Sequence, residues 1–539
     1  MTDLKISIFQ FNPKVGGLSY NTEMLLSAIS KAKSEGSNLF ISSELAICGY
    51  LPEDLLLRPD FYKKCQLQLE HFFTIFGITM IIGCPYKDAD NNHFNSAFII
   101  RDGRIVGRYD KMLLPNYDVF DEKRYFISGT TPLVFDCCGV NIGVVICEDV
   151  WQPLPVKLAK EGGAELICAI NSSPYTLKKY QLRLNVTKNR VIESNIPVIY
   201  VNQIGGQDNL VFDGASFILN KNAEIVMQMP AFEENLKNIN FNKHILIDKA
   251  GTGLINHYPD EIDSLYKALV LATKDYVYKN GFKGVLLGLS GGIDSALTLA
   301  IAVDALGRDR VMAVMMPSIY TADISIHDSR QMVENIGVKY EEIEINSILE
   351  QFKNQLKPVF LGLEEDVTEE NLQARIRGTL LMAISNKLGY LVLTTSNKSE
   401  AAVGYATLYG DMAGGFAPIK DVLKTQVYKL CKYRNNISSI IPERIILRKP
   451  TAELKFNQFD QDSLPEYEIL DQIISCLVEK MLSVKDIIQL GFKAEEVNKV
   501  AILIKSSEYK RQQAAVGPKV SAMSFNKDWR YPITNDFKF

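Results

Sequence analysis

"GVLLGLSGGIDSAL", residues 284–297, sets an aliphatic run directly against Ser290-Gly291-Gly292-Ile293-Asp294-Ser295 and then resumes with helix-forming residues. Val285 to Leu289 reads as a buried strand and Ala296 to Ala302 as an amphipathic helix face. Packing accounts for both flanks and leaves the loop unexplained. A strand, a glycine turn and a helix start together form a cradle in which backbone N–H groups and the helix dipole converge on an anion, so the loop points to phosphate. The plain alternative is a glycine turn with a capping Asp or Ser.

Around this stretch, "RVMAVMMPS", "KYEEIEI" and "YLVLTTS" read as further strands separated by helical patterns, including Asn371–Leu388. Their spacing is that of a parallel doubly wound sheet, whose ligands bind at the carboxyl ends of the strands. The first half differs. From Lys5 to about Pro230 the chain carries many short apolar strands, among them "KISIFQF", "NLFISSE", "ITMIIGC", "NIGVVICED" and "AELICAI", with helical stretches between several of them. Asp102-Gly103 and Asn220-Lys221-Asn222 read as hairpin turns, so a mixed sheet layered with helices is expected. Between Met229 and Tyr258 the strong periodicity is lost, as in a connection between domains. The boundary is placed near Gly251, giving domains 1–250 and 251–539.

Composition narrows the class. A chain of 539 residues exceeds one core, and its net charge of −4 without a long basic run argues against nucleic acid as the main ligand. "MTDLKISIFQF" has neither a basic leader nor a long apolar segment, so a cytoplasmic protein without a membrane partner is expected. Nine cysteines, none spaced as Cys-x-x-Cys, indicate neither a disulfide framework nor a zinc site.

No lysine follows the glycines of 288–295, which excludes the Gly-x-x-x-x-Gly-Lys-Ser/Thr loop. SGGIDS instead resembles the pyrophosphate loop of enzymes that activate an oxygen with ATP and release pyrophosphate. "NLQARIRG" (371–378), "TTSNKSEAAVGYATLYGD" (394–411), "FAPIKDVLKTQVYKL" (416–430), "PTAELKFNQFDQDSLPEYEILD" (450–471) and "YKRQQAAVGPKV" (509–520) resemble the successive motifs of the NAD synthetase family. The resemblance implies that Gly288, Leu289, Ser290, Gly291, Gly292, Ile293, Asp294 and Ser295 hold ATP, with Thr395 also touching it. It further implies that Asp294 and Glu400 bind Mg2+, and that Asn371, Arg375, Glu400 and Lys510 meet deamido-NAD. Near the C-terminus the chain departs from the family pattern. Ala514-Ala515 stand where paired prolines are common, and Ser521 to Phe525 lack an expected arginine.

In the first half, Cys147 ends the apolar run of "NIGVVICEDVW", Glu44 closes the strand of "SSELAICGY", and Lys111 follows a hairpin in "GRYDKMLLP". Together they resemble the Glu-Lys-Cys triad of the nitrilase family, whose members hydrolyse carbon–nitrogen bonds on an αββα sandwich. A thiol must lose its proton to attack an amide carbon, and Glu44 is the candidate base. Lys111 and the Glu148 N–H are candidates for stabilising the oxyanion. "LPNYDVFDEKRYF" and "INSSPYTLKKYQLR" resemble the glutamine-binding segments of nitrilase domains fused to NAD synthetases, which implies Tyr117, Glu148, Ser173 and Lys179 around glutamine. Ser43 replaces the proline usual before the glutamate.

The two halves together resemble the glutamine-dependent NAD synthetases. The implied fold is α/β, a nitrilase-like αββα sandwich followed by a doubly wound parallel-sheet synthetase domain of the adenine nucleotide alpha hydrolase type. The implied partners are glutamine, ATP and deamido-NAD, with a homo-oligomer expected. Ammonia reaching water mostly becomes ammonium, which has no free lone pair, so a closed route between the two sites is expected. Two other readings stay open at this point: another pyrophosphate-loop amidotransferase, and a nucleotide-sensing assembly with a vestigial amidase.

Overall fold

Strands of the first half alternate between two buried faces, and that alternation dictates four layers. The computed structural model describes residues 4–241, 255–456, 458, 460–462 and 464–537. The chain divides into two compact units, Met1–Glu261 and Ile262–Phe539. The expected boundary at 250/251 lies outside the described residues.

In the first unit the strands are β1 (Leu4–Gln10), β2 (Leu39–Ile41), β3 (Thr79–Lys87), β4 (His93–Arg101), β5 (Arg104–Asp110), β6 (Leu133–Cys137), β7 (Val140–Ile146), β8 (Leu166–Asn171), β9 (Val198–Asn202), β10 (Ile204–Gln207), β11 (Leu210–Asp213), β12 (Phe217–Leu219), β13 (Ile225–Gln228) and β14 (Asn235–Phe241). They form two six-stranded sheets, ordered β14-β1-β2-β3-β4-β5 and β13-β12-β9-β8-β7-β6, while β10 and β11 pair as a separate hairpin. Ile6, Ile8, Ile81 and Ile99 of one sheet meet Ile142, Val144, Ile146 and Ile170 of the other in a shared core. The neighbouring positions point the other way. Phe9, Phe40 and Met80 belong to a core that also holds Leu25 and Ile29 of α1 (Leu18–Ser34) and Cys65 of α2 (Pro59–Glu70). Beyond the second sheet, Val145, Ile167 and Val198 share a core with residues of two more helices. These four layers are the expected αββα sandwich, and both expected hairpins are present, β4 with β5 and β12 with β13.

β14 corrects the sequence reading. Its polar sequence, NLKNINF, was expected to lie in the connecting stretch that begins at Met229. It pairs antiparallel with β1 over the whole length, from Leu4–Phe241 to Gln10–Asn235. An edge strand needs only its backbone ladder and one half-buried face, so a polar sequence suffices.

The second unit contains β15 (Val285–Gly288), β16 (Val311–Met315), β17 (Lys339–Glu342) and β18 (Leu391–Val392), parallel in the order β17-β16-β15-β18. Strand order therefore reverses beside β15. In a doubly wound sheet that is where a crevice opens at the carboxyl ends. β7 is followed by α3 (Glu148–Trp151) and α4 (Pro153–Glu161), and β8 by α5 (Lys179–Ser194); nearly all of α6 (Glu261–Lys279) belongs to the second unit, where α7 (Ile293–Leu306) leaves the loop after β15. Ala296–Ala302 of α7 were expected to present one apolar face. Every residue from Ser295 to Ala302 is buried, because neighbouring structure covers the helix beyond its contact with β15 and β16. Among the described residues no helix is long and apolar enough to cross a membrane.

Candidate active sites

Cys147 stands directly after β7, between a buried strand and α3, with a backbone φ of +47°. This left-handed conformation is unfavourable for a residue with a Cβ and costs about 1–3 kcal/mol. It is held by the Cys147 N–H donating to Ile170 O at 3.0 Å and the Val150 N–H donating to Cys147 O at 3.0 Å. The sharp turn lets the strand end in a side chain that faces the strand-end rim.

Glu44, three residues beyond β2, and Lys111, one residue beyond β5, are both buried. Lys111 Nζ lies 2.8 Å from Glu44 Oε1. Glu44 also accepts from Asn95 Nδ2 at 2.8 Å and from the Ser172 N–H at 2.9 Å. Burial alone would lower the Lys111 ammonium, but the charges of Glu122 and Glu44 outweigh it and hold the group well above the usual lysine range. Burial, then the Glu44 charge, pushes the Cys147 thiol well above its usual value, with Lys111 opposing. Burial thus works against the thiolate at rest, and the Lys111 ammonium favours it.

The four residues expected around glutamine gather near this triad. Tyr117 is 52% exposed and donates its hydroxyl to Glu148 Oε2 at 2.9 Å. Burial raises the Glu148 carboxyl, opposed by Tyr117 and Lys111. Lys179 Nζ lies 4.5 Å from the centre of the Trp151 ring, and burial with the nearby Arg183 lowers its ammonium. Ser173, just past β8, donates its N–H to Asn202 Oδ1 at 2.8 Å.

In the second unit a cavity of about 290 Å³ opens at the carboxyl end of β15. All of Gly288 to Ser295 line it, as do Thr395 and Glu400. Gly291 has φ +77°, and a Cβ there would come within 2.5 Å of Ser325 O, so the second position of the loop admits only glycine. Ser295 Oγ donates to Gly292 O at 2.9 Å and accepts from the Ser290 N–H at 3.2 Å, which closes the turn on the first residues of α7.

Asn371, Arg375 and Lys510 do not line this cavity. Asn371 and Arg375 lie on α8 (Val367–Leu388), whose start is fixed four residues before the expected one by a capping box of Asp366 and Glu369. Asn371 Oδ1 accepts from Thr407 Oγ1 at 2.7 Å, Arg375 Nε donates to Leu408 O at 3.2 Å, and Lys510 Nζ donates to Gly404 O and Ala406 O at 2.8 Å. These three expected residues thus gather on the segment 404–408 instead.

Two family models divide the chain along the same lines. Residues 5–244 match the carbon-nitrogen hydrolase family and residues 265–514 the NAD synthase family. The chain is 46% identical to the glutamine-dependent NAD(+) synthetase of Acinetobacter baylyi, across 100% of this chain and 99% of that one. It belongs to the glutamine-dependent NAD(+) synthetase family. The corresponding protein of Aquifex aeolicus is 43% identical over 99% of this chain and 100% of its own. The solved structure of the Acinetobacter baumannii glutamine-dependent NAD+ synthetase, in complex with ADP, is similar at 44% identity and a TM-score of 0.81, with 99% of each chain covered.

Several residues of the two sites escape sequence reasoning. Glu122 is buried, accepts from Lys111 Nζ at 2.8 Å and from Tyr50 OH at 2.7 Å, and burial pushes its carboxyl up to about 7. Lys424 places Nζ 2.5 Å from Asp294 Oδ2 and 3.1 Å from Glu400 Oε1, and Asn397 Nδ2 donates to Asp294 Oδ1 at 2.9 Å. Burial, opposed by Lys424 and reinforced by Asp294 and Asp460, pushes the Glu400 carboxyl up to about 8. Arg377, two residues beyond Arg375, does line the cavity; Nε donates to Met316 O at 2.9 Å, and burial lowers the guanidinium to about 10. The one usable signal for Arg377 is helical spacing, since Ala374, Gly378 and Leu381 line the same cavity.

Proposed function

We propose that the chain hydrolyses glutamine in its first unit and uses the ammonia in its second to amidate deamido-NAD. Glu44 takes the Cys147 proton as the sulfur attacks the glutamine side-chain carbon. Lys111 and the Glu148 N–H stabilise the negative oxygen that forms. The raised thiol supports this order, because a neutral thiol needs a base at the moment of attack. Glu44 returns that proton to the leaving nitrogen as collapse expels ammonia and leaves a glutamyl thioester, and the regenerated Glu44 carboxylate then activates the water that releases glutamate. Tyr117, Glu148, Ser173 and Lys179 orient the amino acid.

In the second unit, Gly288–Ser295 and Thr395 hold ATP, with Lys424 and Arg377 adding positive charge. The nicotinate carboxylate of deamido-NAD attacks the α-phosphorus and pyrophosphate leaves. Ammonia then attacks the adenylated carboxyl to give NAD and AMP. Asn371, Arg375, Glu400 and Lys510 bind deamido-NAD, the first two and Lys510 through the segment 404–408 that they hold. Asp294 and Glu400 are hard oxygen donors converging on the Lys424 ammonium, a point that a cation suits. Among the described residues no three His, Cys, Asp or Glu side chains group as a metal site, and Asp294 and Glu400 would be the pair to hold Mg2+. When bound there, Mg2+ neutralises phosphate charge.

Val359, Leu361 and Leu363, each more than 70% exposed, support self-association through an apolar surface. Nine unpaired cysteines suit a reducing cytoplasm.

The observation that carries the proposal is the pairing, in one chain, of a buried Glu-Lys-Cys constellation with a glycine cradle at a strand-order reversal. Incubation with glutamine, ATP, Mg2+ and deamido-NAD tests it. NAD, AMP, pyrophosphate and glutamate should form in equal amounts. Hydrolysis of glutamine without NAD, or ADP in place of AMP, would refute it.

A further inference from the structure

Asp149 has no role in the steps above, yet it is completely buried two residues from the nucleophile. Its carboxylate makes three contacts. Oδ1 accepts from the Leu113 N–H at 2.8 Å, and Oδ2 accepts from the Ile146 N–H at 3.1 Å and from Tyr109 OH at 2.8 Å. Tyr109 and Leu113 lie two residues either side of Lys111, and Ile146 immediately precedes Cys147. One side chain therefore clamps the segment that carries the cation to the turn that carries the sulfur. Tyr109 is itself buried, and burial together with the Asp149 charge keeps its phenol protonated and donating.

We propose that Asp149 is a positioning residue of the glutaminase site, fixing the strained Cys147 turn against the Lys111 segment so that sulfur and ammonium face one reacting carbon. The proposal rests on Cys147 being the nucleophile. Two features of the geometry support it. The Cys147 backbone sits at φ +47°, a conformation that persists only when its surroundings over-determine it. Ile146, the last residue of β7, is where such a restraint acts most directly. In addition, the contacts use both oxygens of the carboxylate. Leu113, Ile146 and Tyr109 are three donors converging on one acceptor group, and an ionised carboxylate carries only acceptors. The Lys111 backbone is tied separately, its N–H donating to Asn95 O at 2.9 Å while its carbonyl accepts from the Gly129 N–H at 2.8 Å. Asn95 also donates to Glu44. Asp149 supplies the link that these contacts lack, from the Lys111 segment to the nucleophile.

Asp149→Asn is the informative change because it keeps shape and removes acceptor symmetry. Whichever way the amide turns, its NH2 meets a backbone N–H, of Leu113 or of Ile146, and one of the two segments must move. Displacements on the scale of 1 Å at a reacting centre cost about 100-fold. Glutamine-supported NAD synthesis by the full chain should therefore fall about 100-fold in kcat, with KM for glutamine within about threefold and ammonia-supported synthesis within about twofold of the parent. Tyr109→Phe removes one donor without creating an unpaired one, and should lower the same kcat about threefold to tenfold with KM unchanged; it carries the test should Asp149→Asn not fold. A glutamine-supported kcat within about 1.5-fold of the parent in Tyr109→Phe, or a loss in either variant that appears in KM or equally in the ammonia-supported rate, overturns the proposal. Cys147→Ala is measured alongside. If it retains glutamine-supported synthesis, the assignment of the nucleophile has failed; if it is inactive with glutamine while Asp149→Asn is normal, only the positioning role has failed.

Discussion

Lys111 Nζ stands 2.8 Å from Glu44 Oε1 with both side chains out of contact with water. A buried pair of this kind gains little net stability but is costly to break, by about 3–5 kcal/mol when one partner is removed. Its value lies in placing a proton acceptor and a fixed positive charge at one rim. Glu44→Gln retains a hydrogen-bond acceptor for Lys111 and removes the proposed base. Glutamine hydrolysis should fall by about 10²–10⁴-fold, the usual weight of general-base catalysis. Steady-state assays with glutamine and with ammonium chloride check this, since ammonia-supported synthesis should stay within about twofold.

The thiol supplies a second test, through pH. Burial and then the Glu44 charge raise the Cys147 thiol well above its usual value. A raised thiol pKa means less thiolate at neutral pH, with the thiolate fraction climbing tenfold for each unit of pH below that pKa. Alkylation of Cys147 by iodoacetamide, followed on its own peptide by mass spectrometry, should accelerate about tenfold per unit from pH 6 to 9 without a plateau. A rate independent of pH over this range would indicate a resting thiolate and remove the need for Glu44 as base.

Gly291 tests the phosphate cradle. A Cβ at this position meets Ser325 O at 2.5 Å and adds strain at φ +77°, so Gly291→Ala must reshape the loop. Left-handed strain alone costs about 1–3 kcal/mol. NAD synthesis should fall by at least about tenfold with either nitrogen source, and the apparent KM for ATP should rise. Unchanged ATP kinetics would show that the loop does not hold the nucleotide.

Arg377 tests the charge balance of the same cavity. Its guanidinium lines the cavity and is anchored through Nε to Met316 O. Arg377→Ala should slow deamido-NAD-dependent exchange of pyrophosphate into ATP about 100-fold, on the scale of one preorganised charge-stabilising donor. Equal exchange rates in parent and variant would exclude a role in adenylation.

These residues differ in how far the sequence reveals them. Glu44, Lys111 and Cys147 were picked out by resemblance, and the structure sets them after strands β2, β5 and β7, where strand ends bring distant positions to one rim. Glu122 was not. It sits in the short turn Glu122–Arg124 among Asp121, Lys123 and Arg124, where charge ordinarily signals a solvated surface, and only tertiary packing buries it against Lys111. Lys424 was hidden similarly, as one of several lysines in "FAPIKDVLKTQVYKL". β14 escaped because an edge strand pairs through its backbone, to which side-chain periodicity is blind. Asn371, Arg375 and Lys510 were placed by resemblance, and the fold groups them on the segment 404–408, of which Tyr405 lines the cavity while these three do not.

The central claim is that one unit makes the ammonia the other consumes, and Cys147→Ala tests it most directly. NAD synthesis from glutamine and from ammonium chloride should be measured on the same purified variant, with its thermal unfolding compared with the parent. The account predicts glutamine-supported synthesis at background and ammonia-supported synthesis within about twofold of the parent. Persistent synthesis from glutamine, or loss of both activities in a variant that unfolds like the parent, would contradict it.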